Sequence, residues 1–240
     1  MVDIHCHILP SIDDGSDSWE TTTQMCRMAA RDGITHIVAT PHCDGHYEYD
    51  RAHFTDMLAT LSEVAGGHLT FSIGCDFHLS GRNVEAAMDD PRPFALGDTQ
   101  YIMVEFDHHG IPSNAPELLR SILSRGMVPI VTHPERNAYL MKNLDVVQMF
   151  IKMGCLSQVT ANAFTGFWGP KSKKAAEKLL QKKAVHIVAT DAHDLNLRPP
   201  ILSGARARIV ALAGTDVAEA LLNHNPAAVV AGQSVVLSPA

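Results

Sequence analysis

Six apolar runs of this sequence end on a histidine or a carboxylate. They read Ile4-His5-Cys6-His7, Ile37-Val-Ala-Thr-Pro-His42, Phe71-Ser-Ile-Gly-Cys-Asp76, Tyr101-Ile-Met-Val-Glu105, Pro129-Ile-Val-Thr-His133 and His186-Ile-Val-Ala-Thr-Asp191-Ala-His193. Mixed imidazole and carboxylate donors suit Mn2+, Fe2+ or Zn2+ better than Ca2+, and nothing here resembles an all-thiolate site. Alternation along a strand puts His5 and His7 on one face, and Asp191-x-His193 repeats that spacing in the last run. Glu105 follows four residues of a buried-looking run, where a carboxylate needs a partner or a cation to justify burial. Taken singly, each has a plain reading: His-x-His as packing, and His42 and His133 as loop histidines beside prolines. Six such ends together point to a metal cluster.

The elements that must position these residues follow one alternating scheme. Strand-like runs lie at about 2–8, 34–40, 69–75, 100–106, 128–132, 155–161 and 185–190. Helical patterns fill 18–32, 53–65, 114–126, 143–153, 171–183 and 204–223. Strands separated by helix-length segments imply βαβ units and a mostly parallel sheet. Seven strands without a long polar linker favour one closed or nearly closed α/β barrel over residues 1–240, with an open doubly wound sheet as the alternative. In a parallel barrel the carboxyl ends of the strands converge on one face, where all six runs deliver their polar residues. Residues 76–98 read as an elaborated βα connection. His36 and His186 begin strands at the opposite end, and His53, His68 and His224 look peripheral.

Composition narrows the function further. The chain has 240 residues, 46% hydrophobic and 19% charged, and carries a net charge of −7. That balance disfavours broad nucleic-acid binding, which neutralises phosphates with cations. No apolar run is long enough to span a bilayer, and the amino end lacks the basic region of a signal peptide, so a cytoplasmic protein without membrane insertion is expected. Five cysteines with no C-x-x-C pair fit a reducing compartment. Six lysines between Lys171 and Lys183 read as a solvated helix face, with a docking patch for an acidic partner as the alternative.

Asp3-Ile-His5-Cys-His7-Ile-Leu-Pro-Ser-Ile-Asp13-Asp14-Gly15 resembles the opening motif of the PHP (polymerase and histidinol phosphatase) superfamily, in particular its CpsB/YwqE branch of capsular-polysaccharide tyrosine phosphatases. The likeness continues in order through Thr40-Pro-His42, Val104-Glu105-Phe106, Thr132-His133-Pro-Glu-Arg136 and Thr190-Asp191-Ala-His193-Asp-Leu-Asn-Leu-Arg198-Pro-Pro. It implies a distorted (β/α)7 barrel holding three divalent metal ions, with Mn2+ favoured and Fe2+ or Zn2+ as alternatives. It assigns His5, His7, Asp76 and Asp191 to the first metal. Asp76 bridges to a second metal on Glu105 and His133, and Asp14, His42 and His193 hold the third. The family usually has a glutamate where this chain has Asp76, so the shorter carboxylate weakens the bridge or draws its strand inward. His78, two residues on, is an extra or substitute ligand in that case. Arg136 and Arg198 become phosphate clamps, because a planar fork fits phosphate oxygens bidentately.

Four carboxylates against three divalent ions leave a positive site within an acidic protein, which favours a phosphate dianion. The expected reaction is metal-assisted hydrolysis of a phosphomonoester, with bound water, His46, His108 or His109 as proton donor to the leaving group. Tyr47 and Tyr49 are placed to stack on an aromatic leaving group. A thiol mechanism is not expected: Cys43 has Tyr49, not arginine, six positions on, and Arg51 comes two residues too late. The resemblance points to phosphotyrosine on a bacterial tyrosine autokinase of polysaccharide assembly. A small ester such as histidinol phosphate, a non-catalytic metal-stabilised module and a polymerase-associated nuclease are the rival readings. The oligomeric state stays open.

Overall fold

The computed structural model describes residues 1–79 and 82–235. It is a mixed α/β fold in which every paired strand runs parallel to its neighbour. The strands are β1 (Val2–Cys6), β2 (His36–Ala39), β3 (His42–Cys43), β4 (Thr70–Ile73), β5 (Asp76–His78), β6 (Tyr101–Glu105), β7 (Val128–Thr132), β8 (Leu156–Thr160) and β9 (Ile187–Ala189). The helices between them are α1 (Trp19–Arg31), α2 (Arg51–Val64), α3 (Arg82–Asp89), α4 (Ala115–Ser124), α5 (Leu144–Lys152), α6 (Ala161–Thr165) and α7 (Gly169–Gln181). After β9 come α8 (Ser203–Ala213), α9 (Thr215–Glu219) and α10 (Asn225–Val230), with one π-type turn over Ala220–His224. Among the described residues no helix is long and apolar enough to cross a membrane.

Seven strands were expected and nine are found among the described residues, because a short further strand follows each of the second and third expected runs, β3 after 34–40 and β5 after 69–75. Pro41 has no N–H to donate and interrupts the ladder between β2 and β3. Gly74 separates β4 from β5 at a point where a side chain has no room: a Cβ there would lie 2.4 Å from Leu96 Cδ2. The breaks lie side by side, since Gly74 N–H donates to Ala39 O at 2.8 Å and Asp76 N–H to Pro41 O at 3.1 Å. Strands β2 and β4 join β1 in a three-stranded sheet ordered β1-β2-β4, and β3 and β5 join a six-stranded sheet ordered β3-β5-β6-β7-β8-β9. The connection expected over 76–98 thus contains β5 and α3.

The two sheets meet again where β9 ends. Asp191 N–H donates to His5 O at 2.8 Å and His7 N–H to Ala192 O at 2.9 Å. Buried Asp3 secures this seam, accepting from Thr190 N–H at 3.0 Å and from the Thr190 hydroxyl at 2.5 Å. Ile4, Val38, Met103, Ile130 and Ile187 form a compact apolar plug, which Val229 of α10 joins. Between Asp3 and Cys6 the β1–β2 register is irregular, so Ile4 packs in the plug while adjacent His5 turns toward the ligand cluster.

His186 behaves as its place at a strand start implies. Its Nδ1 accepts from Ser157 N–H at 3.1 Å, and burial lowers its pKa to about 4. The unfolded chain therefore takes up a proton that the fold refuses: this contribution to stability is complete above about pH 6.5 and drains away as pH falls toward 4. Unfolding in urea at pH 7.5 and pH 5 should show the wild type losing about 2 kcal/mol more than His186→Gln over that interval. Equal losses in the two proteins would assign the acid sensitivity to other groups.

Candidate metal centre

All nine residues expected as ligands come together. His5, His7, Glu105, His133, Asp191 and His193, near or just past the carboxyl ends of their strands, gather with His42 and Asp76, the first residues of β3 and β5, and with Asp14 of the loop after β1. His5 Nε2 lies 3.3 Å from both Asp76 Oδ2 and Asp191 Oδ1, and His7 Nε2 lies 3.4 Å from the same Asp191 oxygen. His42 Nδ1 is 3.3 Å from Asp76 Oδ2 and 3.6 Å from Glu105 Oε2, and its Nε2 is 3.4 Å from Asp14. His133 Nε2 meets Glu105 Oε1 at 3.3 Å, and His193 Nε2 meets Asp14 Oδ1 at 3.3 Å. Four overlapping groupings could each hold a metal ion: His7, Asp14, His42 and His193; His5, His7 and Asp76; His5, His133 and Asp191; and His42, Asp76 and Glu105. Asp14 alone of the nine is well exposed, at the mouth.

The local backbone is shaped to deliver these side chains. His133 and Asp191, each just past the end of its strand, adopt positive φ values of 31° and 54°. That conformation is uncommon outside glycine and costs energy that the surrounding structure must repay. Gly15 lets the Asp13–Asp14 loop press against β1, because a Cβ there would sit 2.3 Å from His7 O. On the β3–β5 ladder His42 stands opposite Asp76, and on β5–β6 His78 stands opposite Glu105.

The donor set fits cations. His5 Nδ1 faces Gln158 Oε1 at 3.1 Å, His7 Nδ1 faces Asp13 Oδ2 at 2.7 Å, and His193 Nδ1 faces Asp191 O at 3.0 Å. Each contact is satisfied when Nδ1 carries the proton, which leaves Nε2 as a lone pair directed at the cluster. The His5 and His7 Nε2 atoms then oppose one another at 3.2 Å, and both Asp76 oxygens are buried without a hydrogen-bond donor. Burial, and next the charge of Asp76, pushes the Glu105 carboxyl well above its usual range. Burial opposes a charge on His5, yet Asp76 and Asp191 outweigh it and raise the imidazole to about 9. These carboxylates draw in positive charge, which protons or metal ions can supply.

Both expected clamp arginines reach this cluster through Asp191. Arg136 Nη1 is in close contact with Asp191 Oδ2, and Arg198 Nη2 lies 2.7 Å from the same oxygen. Asp191 thereby turns one oxygen to the histidines and the other to the guanidiniums. A mouth of about 340 Å³ opens over the cluster and is lined in part by Tyr47, His78 and His108. Tyr47 stacks at 6.2 Å on His42. Tyr49 does not share this role: its hydroxyl donates to Gly74 O at 3.0 Å and its ring packs on Phe54 and Phe94. Of the proton donors expected, His108 lines the mouth, while His46 and His109 are not among its lining residues. His78 stands on the wall outside the four metal-competent groupings found among the described residues. Cys6 and Cys75 lie in the apolar core, away from the cluster.

Residues 1–231 match the family described as capsular polysaccharide synthesis, CpsB/CapC. The chain belongs to the CpsB/CapC family. Tyrosine-protein phosphatase YwqE of Bacillus subtilis (strain 168) is 32% identical over 202 residues, covering 82% of this chain and 79% of that protein. Tyrosine-protein phosphatase CpsB of Streptococcus pneumoniae is 30% identical, covering 98% of this chain and 100% of its own length. A chain from the crystal structures of YwqE from Bacillus subtilis and CpsB from Streptococcus pneumoniae, described as unique metal-dependent tyrosine phosphatases, superposes with a TM-score of 0.92 at 29% identity. That match covers 100% of this chain and 98% of the other. The lactonase Lmo2620 from Listeria monocytogenes, at a TM-score of 0.65 and 12% identity over 99% of this chain and 95% of that one, shares the fold alone.

In this CpsB/CapC chain several supporting residues escaped the reading by strand ends. Asp13 orients His7 and also accepts from His42 N–H at 3.0 Å and Gly15 N–H at 2.9 Å. Gln158 orients His5, and Glu135 accepts from Thr160 N–H at 2.9 Å, fastening the end of β7 to β8. The adjacency of Asp13 to Asp14 was the available signal for the first; Gln158 and Glu135 carried none. Asp13→Ala should weaken metal binding by about 10- to 100-fold in competition with a chromophoric chelator. Asp13→Asn, which keeps an oxygen acceptor, should lose less. Unchanged affinity in both would remove Asp13 from the support of the centre.

Proposed function

We propose that this chain is a metal-dependent protein-tyrosine phosphatase that removes phosphate from a bacterial tyrosine autokinase and so regulates capsular polysaccharide assembly in the cytoplasm. The observation that carries the reading is the facing pair of anchored imidazoles, His5 and His7, beside the donor-less carboxylate of Asp76. The names of the YwqE and CpsB relatives supply the substrate class. We read residues 1–240 as one domain whose parallel sheets make a distorted (β/α)7 barrel of the PHP type. Three divalent ions, Mn2+ by preference, would be held by the nine residues: His5, His7, Asp76 and Asp191 for the first, Asp76, Glu105 and His133 for the second, and Asp14, His42 and His193 for the third.

Bound divalent ions supply Lewis acidity toward the phosphoryl oxygens and an ionised water as nucleophile near neutral pH. The chain's own residues do the rest. Arg136 and Arg198 hold phosphoryl oxygens with planar forks, so Asp191 must share its guanidinium partners with the substrate. Tyr47, on the wall of the mouth, receives the aromatic ring of the ester. His108, on the wall of the mouth, would be the donor of a proton to the departing phenolate oxygen.

Chelation should abolish hydrolysis of a phosphotyrosine peptide and Mn2+ should restore it, with histidinol phosphate assayed in parallel. Preferred turnover of the metabolite would move the substrate to a small ester, and metal binding without turnover of either would favour the non-catalytic reading. Cys43→Ser should keep kcat/KM within about threefold, and its inactivation would instead indicate thiol chemistry. Arg198→Lys, which keeps the charge and loses the fork, should cost at least about tenfold in kcat/KM.

A further inference from the structure

Beside the mouth lies a second groove of about 360 Å³, lined by His108, Arg136, Met141, Trp168, Lys171 and Ser172. The two spaces share His108 as a wall. Arg136 joins the groove to the metal centre, because its guanidinium contacts Asp191 and stacks over Trp168 with Cζ 4.2 Å from the ring centroid. Arg198 approaches the same indole at 5.7 Å. Nothing in the mechanism above uses Trp168, Lys171 or Ser172.

The groove is built for negative charge. It receives the start of α7, thirteen residues long, where Pro170 opens the helix and no side chain caps it. First-turn N–H groups lack intrahelical acceptors and carry the positive end of the helix dipole. Ser172, only 4% exposed, places its hydroxyl there without a hydrogen-bond partner, and the buried indole N–H of Trp168 also lacks an acceptor. Two buried polar atoms without partners are costly unless a ligand satisfies them. The cations Arg136 and Lys171 flank them, and the groove's lining residues include no carboxylate. Lys171 is exposed, so it is available to a partner in solution.

We propose that this groove is a substrate subsite that binds an anionic side chain, carboxylate or phosphate, on the polypeptide next to the phosphotyrosine. The proposal rests on the phosphatase reading for its substrate and adds the feature that selects among phosphotyrosine segments. It gives the amino-terminal lysine of α7 a role distinct from the solvated face formed by the later ones. The overall charge of −7 makes such a local basic groove selective: acidic segments are repelled elsewhere and accepted here.

The test uses the Mn2+-loaded protein and three phosphotyrosine peptides of one sequence. Their flanking residues are acidic in the first, the corresponding amides in the second, and the amides plus a second phosphotyrosine in the third. The acidic or doubly phosphorylated peptide should exceed the amide peptide about fivefold or more in kcat/KM, chiefly through KM. Preference for the carboxylate or for the second phosphate tells which anion the site takes. Lys171→Glu should bring the ratio to one or below, and Ser172→Ala should lower it; a ratio cancels any general loss of activity. Equal rates for all three peptides, or a ratio unmoved by Lys171→Glu, would overturn the subsite. Anisotropy with analogues bearing a non-hydrolysable phosphonate separates the two readings. A binding ratio without turnover sinks the phosphatase and leaves the subsite, turnover with a ratio of one does the reverse, and no binding of any analogue overturns both.

Discussion

Three buried carboxylates, Asp76, Glu105 and Asp191, share one small space, and the rest of the structure answers to that constraint. Like charges removed from water repel strongly, and their burial is tolerated only when positive charge is held among them. The histidines offer the places where it can be held: each of His5, His7 and His193 is anchored through Nδ1 so that Nε2 faces the acids, where a cation can be bound. Holding so much charge in place demands rigid strand ends. Asp3 with Thr190 closes β1 on β9, and Glu135 with Thr160 ties β7 to β8. Both staples are themselves buried carboxyls, raised by burial to about 6 and about 7. The acids around the centre thus divide into those that face the cluster and those that clamp the frame supporting it.

Much of this was legible in the order of residues. Apolar runs ending in His, Asp or Glu are a one-dimensional trace of parallel strands whose ends share a face, and eight of the nine expected ligands could be named from them, Asp14 coming only from the family resemblance. What stayed hidden depends on three-dimensional neighbours. A register irregularity in β1 turns His5 inward beside Ile4, and strict alternation along the run does not foresee it. The breaks at Pro41 and Gly74 had visible residues but no visible consequence, because splitting two strands into two sheets depends on what packs across them. Tyr47 and Tyr49 look equivalent in sequence, yet one lines the mouth and the other packs on Phe54 and Phe94. Gln158 and Trp168 have no spacing relation to the ligands, so only the folded chain brings them to the site.

Asp76, expected to reach less far than a glutamate, still meets two histidines of the cluster. The shorter carboxylate still lies with Oδ2 3.3 Å from both His5 and His42. Its strand β5 begins at Asp76 itself, immediately after the Gly74 break, and is hydrogen-bonded between β3 and β6 rather than to the β4 partner β2. Reach toward the cluster is therefore set by where the backbone restarts as well as by side-chain length.

Asp191 is the point where the chemistry of the two halves of the site meets. One of its oxygens faces His5 and His7, and the other takes Arg136 and Arg198. A phosphoryl group that engages the arginines must compete with a carboxylate for them, and a cation that engages the first oxygen draws charge from the second. With metal and phosphate bound as proposed, the two would be coupled through this one residue, each lowering the cost of the other. Trp168 also contacts Arg136, through an aromatic face that needs no counter-charge, and so offers the guanidinium a hold independent of its ionic partner. An arginine held by an aromatic face, and paired with an acid that the proposed substrate would displace, combines firm placement with an exchangeable charge.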